Sequence, residues 1–380
     1  NFDVYFITND MYSTGKIILH DDIKNLCKLD IIICIGFTQD DDIVNKLRVI
    51  NNKVRFINFV LGNQCVANIN DILHTCYKCG NNTRTFQIIN AKKNLYDEIW
   101  ILPDYEYSID YYKYIYQTEK VFIAPFIWDS MYVGEPYTDF NHNELNVGVF
   151  ESNIGIIKNC LVPMIICDKA KDIINKALIF NSKKFLQSEH FQEFAKISEL
   201  ATTNRMTFEG RHPFRSMMDK YCNVVVSFTE NLDLNYLSLE CFYLGIPIVH
   251  NSKMLKDWGF YYEGYDVSTA VRHLKFIKEG FNREAYIDRH KQILFKYSMQ
   301  NPEYIDFFKS RILDNSSAKL KFIHITKCAG SSIEEIGKTH NILWGRYHKE
   351  YGHHHDVFIN KSTELKLKFD WFVVVRNPYT

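Results

Sequence analysis

The segment Val224–Ser252, VVVSFTENLDLNYLSLECFYLGIPIVHNS, constrains the fold more than any other stretch of the chain. Three consecutive valines without polar alternation suit a strand covered on both faces, as in a parallel sheet. A polar loop follows, then a helical run with one inward carboxylate, Glu240, and a Gly-Ile-Pro turn into a second apolar strand. Strand, helix and strand in that order demand an α/β layer structure. Open sheets of this kind bind ligands beyond the carboxyl ends of their strands, which is where Glu240 falls. A carboxylate there can accept hydrogen bonds from the two hydroxyls of a ribose. The competing reading, a surface glutamate on an amphipathic helix, would suffice for an isolated Glu but not with these flanks.

At 380 residues the chain has room for two or three domains with separate cores. Lys+Arg and Asp+Glu both number 45, so no overall charge draws the chain to nucleic acid, and any phosphate site must be local. No run reaches the roughly 18–20 apolar residues of a membrane span. The opening NFDVYFITND has neither Met nor a basic leader, and the chain is expected to begin inside a domain, on a strand. The ten cysteines fall mostly in apolar runs and read as reduced core residues of a cytoplasmic protein. Cys76-x-x-Cys79 with His74 is the one metal-like cluster, and without a second pair it reads as loop cysteines.

Apolar strands alternate with helical patterns through the first 145 residues. The expected strands are Val4–Ile7, Ile31–Ile35, Val54–Phe59, Glu98–Ile101 and Val121–Ala124, with helices over Asp41–Val49 and Tyr107–Gln117. Leu61-Gly62-Asn63 directly follows a strand and is either a ligand edge or a plain turn. The polar stretch Asp129–Glu144 reads as a linker. A second α/β unit begins with the strand VGVFE at Val147 and a helix over Ile154–Asp172, followed by strands at Ala177–Phe180, Met206–Phe208, Asn223–Ser227 and Ile246–His250. The helical stretch Thr269–Lys309 is expected to cross back to the first domain. After the polar break Asp314–Ala318 the pattern restarts as a third unit. The expected domains are 1–145, 146–312 and 318–380.

Three elements of the second unit would converge on a ligand. Glu151 and Asn153 end a strand, and Lys158 is expected one turn into the next helix, where a helix N-terminus and a cation would hold a diphosphate, although a capped helix with Lys158 in water fits the residues at least as well. Arg211 and Arg215 follow another strand; a guanidinium binds an oxyanion in bidentate fashion, although a surface ion pair fits equally. Asn235 and Tyr236 open the helix of Glu240, and His250 and Asn251 end the next strand at the same edge. Together they would neutralise a leaving nucleoside diphosphate without a metal.

The pieces FESNIGIIKNCLVPMIICDKA, the Val224–Ser252 segment and WGFYYEGYD, with LGNQ, YDEIWILP and APFIWD earlier, resemble a little-characterised family of bacterial and viral GT-B glycosyltransferases over Ile31 to Tyr286. The resemblance implies two Rossmann-like domains, a first that binds the acceptor and a second that binds a UDP- or GDP-linked sugar, with no metal required. One departure is that many such enzymes carry a second Glu eight residues before the first, where this chain has Leu232. The residues do not identify a glycosyltransferase base.

The tail carries a separate signature. Phe322–Ser332, FIHITKCAGSS, reads as a strand running into a small-residue loop that leads to a helix; Lys327, Cys328, Ala329, Gly330, Ser331 and Ser332 could cradle an anion. It lacks the ATP-type P-loop spacing and instead resembles the 5′-phosphosulfate loop of carbohydrate sulfotransferases. WFVVVRNPY, with Arg376, resembles their 3′-phosphate motif, which implies 3′-phosphoadenylyl sulfate as cofactor. His353, His354 and His355 lie between the two motifs, and one could serve as the sulfotransferase base. The chain stops at Thr380, so the natural protein is expected to continue.

The resulting expectation is α/β throughout: two Rossmann-like GT-B domains followed by a partial P-loop-like sulfotransferase domain. The function expected is sugar transfer to a glycan or glycoprotein, in the cytoplasm of a cell that could be a virus-infected host, with no nucleic acid partner. The main alternative is a sulfotransferase with a non-catalytic glycan-binding forerunner.

Overall fold

A computed structural model of the chain describes residues 6–8, 17–19, 22–36, 41–77, 95–130, 133–137, 144–153, 155–313, 320–323 and 370–373. Two compact units emerge: residues 30–48 with 53–308, and residues 1–29, 49–52 and 309–380.

The larger unit holds two parallel sheets. With strands numbered along the whole chain, the first sheet contains β3 (Ile31–Ile35), β4 (Arg55–Val60), β5 (Glu98–Ile101) and β6 (Val121–Ile123), side by side in sequence order. The second contains β7 (Leu145–Val149), β8 (Ile174–Ile179), β9 (Met206–Phe208), β10 (Val224–Val226), β11 (Ile248–His250) and β12 (Phe260–Tyr261). Its spatial order is β9-β8-β7-β10-β11-β12. The chain therefore winds outward one way from β7 and then outward the other way from β10. That is the doubly wound Rossmann order, and its crevice opens between the first and fourth strands, here β7 and β10. Val224, Val225 and Val226 are all fully buried, as an unbroken apolar run in a central parallel strand requires.

The helix Tyr236–Leu244 buries Ser238, Leu239, Cys241, Phe242 and Leu244 and leaves Glu240 partly open. Asn235 caps its start by accepting from Leu237 N–H at 3.2 Å. Gly245 ends it in the left-handed region at φ +72°, and a Cβ there would lie 2.7 Å from both Arg283 Nε and Ile287 Cδ1. Neither the backbone nor the space admits another residue without adjustment. The helix is tied to the loop after β6 by Tyr236 stacked on Phe126 (4.8 Å) and Tyr243 against Trp128 (5.6 Å).

Most expected strands appear within a residue or two, and β12 is an addition. Two helical expectations change. The stretch Ile154–Asp172 is helical only over Leu161–Lys169, because Lys158 pairs in isolated bridges with Gly155 and with Thr229. Tyr107–Gln117 begins as a 3-10 turn over Pro103–Ser108 before the α-helix Ile109–Tyr116. The carboxyl-terminal helical region is three helices, Val267–Gly280, Arg283–Lys296 and Pro302–Leu313. The third brings Phe307 and Phe308 edge-on to Trp100 of the first sheet, at 5.4 and 5.7 Å, so the expected return to the first domain occurs.

In the smaller unit, β1 (Phe6–Thr8) pairs in parallel with β2 (Ile17–Leu19) rather than joining the four-stranded sheet. Likewise β13 (Leu320–Ile323) pairs in parallel with β14 (Asp370–Val373).

Candidate functional site

A cleft of about 450 Å³ lies between the carboxyl edges of the two large sheets. The first sheet contributes Gly36 after β3, Asn58 and Val60 of β4, the Leu61–Gln64 turn, and Tyr116. The second contributes Ser152 and the loop Gly155–Lys158 after β7, with Leu232 after β10. The loops after β7 and β10 flank the topological switch point, and Lys158 is the one charged residue in the lining among the described residues.

Lys158 reaches this place by a different route from the one its sequence position suggests. The two switch-point loops are joined by the Lys158–Thr229 bridge and by Glu230 N–H donating to Ile157 O at 2.7 Å. Beneath them Glu151, fully buried, accepts from Ser227 Oγ at 2.6 Å and from Phe228 N–H at 3.1 Å. Burial raises its carboxyl, and these two bonds together with the Lys158 charge partly offset the effect. Asn153 adopts a left-handed backbone (φ 55°) and donates to Glu151 O and Phe180 O while accepting from Cys160 N–H at 2.8 Å. Glu151 and Asn153 therefore spend their polar atoms shaping the loop that presents Lys158.

His250 and Asn251 are likewise internal. His250 Nε2–H donates to Trp258 O at 2.9 Å, and its Nδ1 accepts from Ser252 N–H at 3.2 Å, which defines a neutral ring. Burial lowers its pKa to about 4. Asn251 donates to Thr229 O (2.8 Å) and accepts from Thr229 N–H (2.9 Å), extending the pairing of β10 and β11 past their ends. Both side chains are thus engaged within the protein, His250 with Trp258 and Ser252 and Asn251 with Thr229. Arg215 lies over the Tyr137 ring at 4.1 Å and donates to Glu135 O and Val133 O, pinning the linker. Arg211 is exposed in the turn after β9. Among the described residues Glu240 has no charged partner, and burial raises its pKa.

The cleft also holds residues that sequence reading did not single out. Asn58 Nδ2 donates to Tyr116 OH (3.0 Å), which donates to Gln64 Oε1 (2.9 Å). LGNQ after a strand was a signal for Gln64; nothing local marked Asn58 or Tyr116, which are 58 residues apart in sequence. At the cleft wall Asn63 Nδ2 donates to Asn231 O at 2.7 Å, and beyond the lining Asp104 Oδ2 accepts from Leu234 N–H at 3.2 Å, so the first domain grips the loop that leads into the Glu240 helix. Burial raises Asp104 to about 6, with the Leu234 N–H opposing and the Asp233 charge adding to the rise.

Among the described residues no group of three or more His, Cys, Asp or Glu is placed to hold a metal ion, and no helix is long and apolar enough to cross a membrane. Lys327, Cys328, Ala329, Gly330, Ser331, Ser332, His353, His354, His355 and Arg376 lie outside the described residues, as does Cys79.

A family model described as "Protein of unknown function (DUF2827)" matches residues 7–312. No curated protein sequence matches the chain. Among solved structures, TarM is similar at 12% identity and a TM-score of 0.50, over 77% of this chain and 57% of TarM. The chain thus spans little more than half of that relative. The UDP-forming trehalose-phosphate synthase of Burkholderia xenovorans is similar at 11% identity and a TM-score of 0.51, over 78% of each chain. Anabaena Alr3699/HepE, in complex with UDP and glucose, is similar at 11% identity and a TM-score of 0.51, over 77% of this chain and 80% of that one. At such identities the likeness shows the fold, which is GT-B.

Proposed function

The chain belongs to the family described as protein of unknown function (DUF2827), and from its fold and the cleft we propose that it is a GT-B glycosyltransferase acting on a nucleotide sugar. The observation that carries the proposal is Lys158, held at the β7/β10 switch point of the second sheet and facing a cleft lined by both sheets. In the proposed reaction an acceptor hydroxyl oxygen bonds to the anomeric carbon of the sugar and gives up its proton to solvent, as the bond from that carbon to the β-phosphate oxygen breaks and the nucleoside diphosphate leaves with the bonding pair. Lys158 offsets the negative charge that grows on the departing diphosphate, with Arg211 as a second cation. Glu240 accepts from the ribose hydroxyls, a role that suits a carboxylate without a protein cation beside it. Asn235 and Tyr236 position that helix. The donor is UDP-linked in preference to GDP-linked, the acceptor is a glycan or glycoprotein, and no metal takes part.

Binding and turnover test this reading directly. UDP should bind in the presence of a chelator, and UDP-sugars should be consumed. Lys158→Ala should weaken UDP binding by about 10- to 100-fold, the worth of one charge-assisted hydrogen bond. Full UDP affinity in Lys158→Ala and Glu240→Ala alike would overturn the donor site.

One observation favours a second activity in the tail. The strands β13 and β14, which lead into FIHITKCAGSS and WFVVVRNPY, pair in parallel register, as two loops serving one nucleotide would need. We therefore extend the proposal to a carbohydrate sulfotransferase module that uses 3′-phosphoadenylyl sulfate, with Lys327 to Ser332 and Arg376 on the cofactor and a base from His353, His354 or His355. Stabilisation by adenosine 3′,5′-bisphosphate tests it. Cys27, Cys34, Cys65, Cys160, Cys167, Cys222 and Cys241 are free thiols, which suits a cytoplasmic location, including that of an infected host cell.

A further inference from the structure

The first-sheet wall of the cleft carries a hydrogen-bond chain with a single direction. Asn58, 2% exposed, donates through Nδ2 to the Tyr116 hydroxyl, and Tyr116, 4% exposed, donates its own O–H to Gln64 Oε1. The order leaves no choice at Gln64: its oxygen is taken, so its Nε2 can only donate. Among the described residues that Nε2 has no protein acceptor, while the Gln64 backbone N–H is held by Tyr112 OH at 3.2 Å. Asn58, Gln64 and Tyr116 all line the cleft opposite the loop that carries Lys158. Around them the walls are apolar: Val60, Leu61 and Val66 on one side, Ile156, Ile157 and Leu232 on the other.

We propose that Gln64 reads the transferred sugar, and that this sugar is uncharged. The inference rests on the glycosyltransferase reading above and adds the class of donor. With the diphosphate at Lys158, the sugar falls between that lysine and the Gln64 amide. Gln64 Nε2–H then donates to a ring hydroxyl or to an acetamido carbonyl oxygen. Asn58 and Tyr116 are positioning residues, because they fix which end of the amide faces the cleft. A uronic acid would bring a carboxylate among Val60, Leu61, Ile156 and Leu232 with the only lining cation already engaged, and an unpaired charge in such surroundings is costly.

Calorimetric binding of UDP, UDP-glucose, UDP-N-acetylglucosamine and UDP-glucuronic acid to the full chain tests the proposal. At least one neutral UDP-sugar should bind about five- to tenfold more tightly than UDP, the worth of one net hydrogen bond, and UDP-glucuronic acid should show no such gain. Gln64→Ala should erase the gain while leaving UDP affinity unchanged, a split that general damage to the fold would not produce. Tyr116→Phe should reduce the gain and spare UDP in the same way. Gln64→Met, which keeps the chain length without the amide, serves if the alanine variant does not fold. A gain that survives in Gln64→Ala, or UDP-glucuronic acid bound as tightly as the neutral sugars, overturns the inference and leaves the glycosyltransferase reading standing. Failure of UDP itself to bind the unsubstituted chain overturns both.

Discussion

Replacing Asp104 by Asn should stabilise this protein at neutral pH and do nothing at acid pH. Asp104 sits in the turn after β5, 7% exposed, with Oδ2 accepting from Leu234 N–H and Oδ1 buried with no hydrogen-bond partner among the described residues. Burial lifts its pKa from 3.8 to about 6, and Asp233 adds a like charge nearby. A carboxyl with a raised pKa keeps its proton in the folded state where the unfolded chain has lost it. Stability therefore falls as pH rises from 3.8 to about 6, and the deficit persists above that. At about 1.36 kcal/mol per pH unit the interval corresponds to roughly 3 kcal/mol. Asn keeps an oxygen for Leu234 N–H, although a neutral acceptor is weaker by about 1 kcal/mol. The net expectation is a gain of about 2 kcal/mol at pH 7.5 and none below pH 4. Urea unfolding of both proteins across that range measures the difference. A variant less stable at pH 7.5, or a difference that does not change with pH, would refute the assignment of a costly buried carboxylate at this junction.

Other substitutions test the remaining framework. His250 and His290 are neutral in the core, their pKa values lowered by burial to about 4. The folded state there binds fewer protons than the unfolded one, so stability should fall as pH drops from 6.5 toward 4, by up to about 3 kcal/mol for each ring; unfolding of His290→Gln at pH 7.5 and pH 5 should show a smaller acid loss than the unsubstituted protein. Gly245→Ala should cost about 2–4 kcal/mol, from a left-handed backbone and a Cβ too close to Arg283 and Ile287, read by thermal unfolding. Asn251→Ala should cost about 2–3 kcal/mol by breaking both bonds to Thr229, with UDP affinity reduced because the switch-point loop loosens. Glu240→Gln should weaken UDP binding yet leave stability unchanged or slightly improved, since burial raises that carboxyl and no cation supports it.

Much of the fold is written in local patterns. Val224–Val226, Met206–Phe208 and Glu98–Ile101 are apolar runs bounded by polar turns, and such runs have few other ways to be satisfied than in a buried parallel sheet. The polar start at Asn235 and the glycine at 245 likewise mark both ends of one helix by backbone chemistry alone. The helix expected over Ile154–Asp172 misled because its amino end is bound by Thr229, a partner 71 residues away from Lys158 that no local pattern reveals. His250, Asn251, Glu151 and Asn153 were legible as polar residues at strand ends, but not as residues already satisfied by the protein, because their partners come from other strands. Asn58, Tyr116 and Gln64 show the converse: three ordinary side chains become a directed hydrogen-bond chain only when β4 and the helix Ile109–Tyr116 pack together. The sequence by itself thus determined most of the strands, the α/β alternation and the region of the ligand edge, because apolar periodicity and turn chemistry act over a few residues, whereas the order of strands within each sheet came with the tertiary structure. Only the tertiary structure decided which polar groups at that edge face the cleft, because hydrogen-bond satisfaction depends on neighbours brought together by the sheet rather than by the chain.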